Sequence, residues 1–131
     1  MRKTGILNIA ICEAIASLGH TEYLVIADAG LPVPKDVQVI DISLVTGIPG
    51  FREVLDAVAG EFVIDSYIYA NEMDGINPEL AAYVHEKLDG IPKKSVSHEE
   101  LKKMLKDVRY VIRTGECTSY ANVMLEGGVS F

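Results

Sequence analysis

Apolar positions along the chain switch repeatedly between a helical and an extended period. After Asn8, a residue type that caps helix starts, "IAICEAIASLG" sets Ile11, Ala14, Ile15 and Leu18 at helical spacing, and Gly19 stands where a left-handed C-cap glycine is expected. "EYLVIA" then runs almost unbroken in apolar and β-branched residues, the pattern of a strand buried on both faces, and "VQVIDIS" follows as a second strand with alternation. The loop "DAGLPVPKD" joins them. Helical spacing returns from Phe51 to Ala59 with Gly60 as a stop, and "FVIDSYIYA" reads as a strand despite Asp65 and Ser66. Asn77 and Pro78 are a cap and a first-turn proline. They open a helix to about Leu88, with Leu80, Tyr83, Val84 and Leu88 on one stripe. Ser97 and Glu100 form a capping box that puts His98 at the first position of a helical segment ending near Val108. "YVIR" is a strand, "TGECTSY" a loop, and "ANVMLE" a last strand.

Helices alternating with strands predict an α/β fold: a single-domain three-layer sandwich over residues 1–131, with a largely parallel sheet flanked by helices. In such sheets ligands collect beyond the carboxyl ends of the strands, where loops converge and helix termini lend partial charges. Asp28 ends one strand and Thr114 to Tyr120 follows another, so two loops distant in sequence are expected to face one crevice.

Composition narrows the partners. A net charge of -7 with no Lys/Arg stripe argues against nucleic acid and anionic lipid. No apolar run approaches the roughly 18 to 20 residues that span a bilayer, and Glu13 interrupts the apolar start, so a membrane is not expected as partner and the chain reads as soluble and cytoplasmic. Cys12 and Cys117 lie far apart and fit no zinc or CxxC spacing, so reduced thiols are the expectation. The apolar ending "NVMLEGGVSF" calls for a cover, and a symmetric oligomer would supply one.

Three groups of side chains are candidates for chemistry. His20 follows the negative end of the first helix, which favours imidazolium, whereas His98 lies at the positive end of another, which favours the neutral ring. Such a contrast suits an acid and base pair, although a solvated or capping role is the commoner fate of any one histidine. Asp28 is either a turn residue bonding the backbone ahead of it or a ligand-holding carboxylate. Gly30 permits close approach and Pro32 and Pro34 stiffen the loop behind it. Tyr120 and Asn122 would share a face if the stretch were extended, offering a phenol and an amide to hydroxyl groups. Arg113 and Glu116 read as a pair bracketing a turn, and Cys117 has no adjacent activating base. A metal site of His20, Asp28 and His98 lacks ligand spacing, and no GxGxxG supports a dinucleotide.

The segments "GILN", "LGHTEYLVIADAGLPVP", "SHEE", "VIRTGE" and "YANVMLEGGVSF" together resemble the D-ribose pyranase family and its relatives the fucose mutarotases, across essentially the whole chain. "DAGLPVP" and "YAN" resemble the ribose branch. The resemblance implies an isomerase that interconverts the β-pyranose and β-furanose forms of D-ribose, with no cofactor and no metal. Fucose or another aldose as substrate, and a non-catalytic sugar-binding module, remain the alternatives. It further implies His20 as general acid and Asp28, His98, Tyr120, Ala121 and Asn122 as sugar-binding residues. A ring-shaped homo-oligomer, commonly a decamer with the site between subunits, is implied as well. Ile9 and Ser119 depart from the family pattern, where Ser and Pro are frequent.

Overall fold

A computed structural model describes all residues 1–131. Helix α1 (Ile9–Ser17) begins at Asn8, whose side chain accepts from the Ile11 amide at 3.0 Å. The chain then alternates: β1 (Tyr23–Ala27), β2 (Gln38–Asp41), α2 (Phe51–Ala59), β3 (Ile64–Ala70), α3 (Glu72–Ile76), α4 (Pro78–Lys87), β4 (Lys93–Val96), α5 (His98–Met104), β5 (Tyr110–Arg113) and β6 (Val123–Gly127). A 3-10 turn at Leu105–Asp107 extends α5 almost to Val108. Ser97 caps α5 through the Glu100 amide at 3.1 Å.

The six strands form one sheet in the order β2-β5-β1-β6-β3-β4. β5 runs parallel to β1 and β2, and β4 runs parallel to β3. β6 lies antiparallel to both β1 and β3, so those two also point the same way and β6 alone is reversed. Side-chain alternation splits the sheet residues between two cores. Leu24, Ile26, Tyr67, Tyr69, Ile112, Val123 and Leu125 face α1, α2 and α4, whereas Val25, Ala27, Ile68, Ala70, Val111 and Met124 face α5. The result is the expected three-layer α/β arrangement. Tyr67 carries its hydroxyl into the larger core, where His85 Nδ1 meets it at 2.8 Å, and burial pushes the phenol up to about 12.

Two local expectations are corrected. Gly19 does not close α1 with a left-handed turn. Leu18 is an extended C-cap, and the positive φ falls on Thr21 at 67°. Asn77 precedes α4 but makes no side-chain cap; its Nδ2 group donates to Thr118 and Ser119 instead. Helix α3 and strand β4 also go beyond the sequence reading. One is a single short turn, and the other is the exposed edge strand "KKSV", without the apolar period that marks an element.

Leu55 is fully buried in the larger core. Leu55→Ala is expected to lower unfolding free energy by about 2–5 kcal/mol, measured by urea denaturation.

Candidate functional site

Strand polarity sorts the candidate residues to two ends of the sheet. At the carboxyl ends of the parallel strands lie Asp28 after β1, the 114–120 loop after β5, and His98 just after β4, and reversed β6 brings Asn122 in from its own start. His20, before β1, lies at the opposite edge. The sequence reading expected the Asp28 loop and the 114–120 loop to face one crevice, and the structure brings them together, with His20 left outside that grouping.

Asp28 and Asn122 clasp one another. The Asp28 amide donates to Asn122 Oδ1 and Asn122 Nδ2 donates to Asp28 Oδ2, both at 2.9 Å. The Asp28 Oδ1 atom accepts from the Gly30 amide at 2.9 Å, which is the turn bond open to any such aspartate. The turn-residue reading of Asp28 thus holds, and its second carboxylate oxygen is engaged by Asn122. Asn122 is fully buried, so its amide orientation is set by these bonds.

Tyr120 and Asn122 do not share an extended face. Tyr120 has φ 58°, and the Asn122 amide bonds back to the Tyr120 carbonyl at 2.9 Å. A tyrosine in this region carries strain of about 1–3 kcal/mol. The turn sends the buried amide of Asn122 to Asp28 and the Tyr120 ring edge-on to His98, with centroids 5.0 Å apart. Ala121 between them is fully buried. The His98 backbone amide donates to Glu72 Oε2 at 2.7 Å, while its ring Nδ1 is buried with no partner in the chain. Such an orphan costs about 1–3 kcal/mol. Asp28, Gly30, Leu31, Pro32, His98, Ser119 and Tyr120 line a cavity of about 280 Å³. A neighbouring recess shares Asp28, Gly30 and Ser119 and adds Glu116, Cys117 and Thr118.

The loop that carries Tyr120 is fixed from several elements. The Asn77 amide donates to Thr118 Oγ1 at 2.9 Å and to the Ser119 carbonyl at 3.0 Å. The Ala29 amide donates to the Glu116 carbonyl at 2.8 Å, and Gly115 packs so closely on Ile48 that a Cβ there would overlap its backbone. Arg113 and Glu116 are not a pair. Arg113 reaches Asp41 at 2.7 Å and the Ala29 carbonyl at 2.9 Å. Glu116 accepts from the Phe51 amide at the start of α2 at 3.0 Å and from the Thr118 hydroxyl at 2.9 Å. Burial pushes the Glu116 carboxyl up, but bonds from Phe51, Thr118 and Cys117 outweigh it and hold the group below its ordinary value. Glu72, Asn77 and Arg113 therefore support the site, and in the sequence they look like ordinary helix-start or turn residues.

At the other edge, His20 Nε2 lies 3.0 Å from Asp65 Oδ2. Thr21 beside it holds its positive φ through a bond from its amide to the Gly127 carbonyl at 2.9 Å. The structure thus has an aspartate–asparagine clasp at one edge and a histidine–carboxylate pair at the other.

The model of the RbsD / FucU transport protein family matches residues 1–130. A D-ribose pyranase of Geobacillus kaustophilus is 48% identical over 131 residues, covering all of this chain and 96% of that one. One from Cutibacterium acnes is also 48% identical, with both chains fully covered. The structure of Bacillus subtilis RbsD complexed with D-ribose superposes with a TM-score of 0.96 at 44% identity, again over the whole of both chains. A fucose mutarotase from Streptococcus pneumoniae, solved with L-fucose, shares the fold with a TM-score of 0.82 at 21% identity over 95% of each chain.

Because the Glu116 carboxyl is held below its unfolded value, its contribution to stability is complete above about pH 4.5 and is lost as pH falls through the folded value. Glu116→Gln is expected to flatten the fall in unfolding free energy below pH 4.5, measured by urea titrations at stepped pH; an unchanged slope would contradict the assignment.

Proposed function

Since the chain belongs to the RbsD / FucU family, we propose that it interconverts the β-pyranose and β-furanose forms of D-ribose by opening the ring and closing it from another hydroxyl. The observation that carries this reading is the full-length likeness, in sequence and fold, to D-ribose pyranases and to a ribose-bound structure. The clasp supports it locally. Asp28 supplies a carboxylate for sugar hydroxyls, His98 and Tyr120 line the same cavity, and the orphaned His98 Nδ1 leaves bonding capacity for a ligand. The likeness to the fucose enzyme supports the shared fold, so ribose is the substrate we assign.

Ring opening breaks the bond between the anomeric carbon and the ring oxygen. A proton must arrive at that oxygen as the anomeric hydroxyl gives one up, and closure runs the same exchange with a different hydroxyl. No other bond to carbon changes. His20 delivers the proton, Asp28 and Asn122 orient hydroxyls, and Tyr120 and His98 wall the sugar. A positioned acid typically contributes about 10² to 10⁴ in rate, ample for a reaction that water already allows.

In one chain His20 and Asp28 stand at opposite ends of β1, separated by about 17 Å from strand rise alone. We assign the working site to a junction in which one copy brings His20 and its neighbour brings the clasp. Exposed apolar groups support this. Leu44, Val45 and Ile48 lie at the carboxyl edge, and Val63, Val129 and the fully exposed Phe131 at the other. Edge-to-edge contact of that kind is head-to-tail, and head-to-tail contacts close into rings when the rotation permits. A homodecamer in the cytoplasm completes the reading, in keeping with free Cys12 and Cys117.

His20→Ala is expected to lower the enzyme-dependent exchange between ribose ring forms by about 10² to 10⁴, read by exchange NMR of the anomeric signals. Parent-level exchange would remove His20 from the mechanism. Fucose run alongside ribose tests the substrate, with faster turnover of ribose expected.

A further inference from the structure

We infer that Asp65 is the positioning residue of the acid: it holds His20 by Nε2, so that Nδ1 is the nitrogen that meets the sugar ring oxygen. This rests on the assignment of His20 as proton donor.

The geometry begins with chemistry. An ionised carboxylate only accepts hydrogen bonds, so the 3.0 Å contact of His20 Nε2 with Asp65 Oδ2 requires a proton on Nε2. That proton stays in place whether the ring is neutral or charged. The proton that comes and goes is then the one on Nδ1. In the imidazolium form Nδ1–H donates to the ring oxygen as the anomeric carbon–oxygen bond breaks. The anomeric hydroxyl gives its proton to solvent water, which returns one to the carbonyl oxygen on closure. The attacking hydroxyl then gives its proton to Nδ1 of the neutral Nε2–H ring, so protons balance over the cycle. The arrangement is that of a histidine oriented by a third group, built here between the turn after α1 and strand β3.

Isolated on a surface, such a pair has little weight, and both side chains are about half exposed. What distinguishes this one is how the fold places it. Asp65 lies at the irregularity between Ile64 and Ser66, where the register of β3 against β6 shifts. Gly127 and Gly128 make the room beside it. A Cβ on Gly128 would overlap Asp65 Oδ1, and one on Gly127 would come within 2.9 Å of the Gly19 carbonyl oxygen, directly before His20. The Gly127 carbonyl also binds the Thr21 amide, directly after His20, at 2.9 Å. The end of β6 therefore sets both partners: it bonds the backbone directly after the histidine, packs against the carbonyl directly before it, and leaves space for the carboxylate. The strained φ of Thr21, 67°, is spent at that same point.

The test is a double-mutant cycle on the full chain, with exchange NMR run over a range of ribose concentrations. Asp65→Asn keeps the shape and removes the charge. It is expected to lower kcat about tenfold or more with KM within about twofold, because Asp65 acts on the acid and does not touch the clasp. In a His20→Ala background the same change is expected to have no further effect. Parent kcat in Asp65→Asn alongside a His20→Ala variant that has lost its activity overturns the pairing and leaves the acid intact. An equal loss in both backgrounds overturns it too, since a merely structural residue behaves that way. Full activity of His20→Ala overturns the acid assignment itself, and the positioning role with it.

Discussion

Strand β1 cannot bring its two ends together. Five extended residues hold them about 17 Å apart, and the parallel neighbour β5 keeps the strand straight in register from Leu24 to Ala27. Everything about the site follows from this distance. Loops after β1, β4 and β5 gather at one edge, and β6, the only reversed strand, contributes its beginning to that edge and its end to the other. A single reversed strand thus has Asn122 of the clasp just before its start and brings Gly127 and Gly128 beside the histidine.

The two edges are built differently. The clasp is rigid by hydrogen bonding. A fully buried amide grips Asp28, and the loop bearing Tyr120 is tied to α2, α4 and the loop before α2. Bonds of this kind involving a charged partner contribute about 1.5–3 kcal/mol each, enough to offset the positive φ of Tyr120. The His20 edge is more open. The close approach of β6 to the turn after α1 sets its geometry, and the His20 side chain stays about half exposed.

Much of the fold was legible in the residues. Helix starts at Asn8 and Ser97, the run of apolar residues in β1, and the spacing from Phe51 to Ala59 each encode their element locally. Strand β4 did not, because an edge strand needs no apolar period. The site was legible in part. Asp28, His98, Tyr120 and Asn122 do meet, but their grouping without His20 depends on strand direction, which no local pattern carries. Arg113 and Glu116 misled for a related reason. Opposite charges three residues apart look like a pair, and each instead serves a different segment brought near by the sheet. Asp65 was legible only as a blemish in a strand, and its partner is 45 residues away.

The central claim is that two copies complete one site, and mixing two inactive chains tests it most directly. His20→Ala retains the clasp and Asp28→Ala retains the acid. Co-refolded in equal amounts, they should recover about a quarter of parental exchange, since about one junction in four would pair an intact histidine with an intact clasp. If parental chains refolded in the same way are active and the mixtures stay as inactive as either variant alone, the site is not shared and the account is wrong.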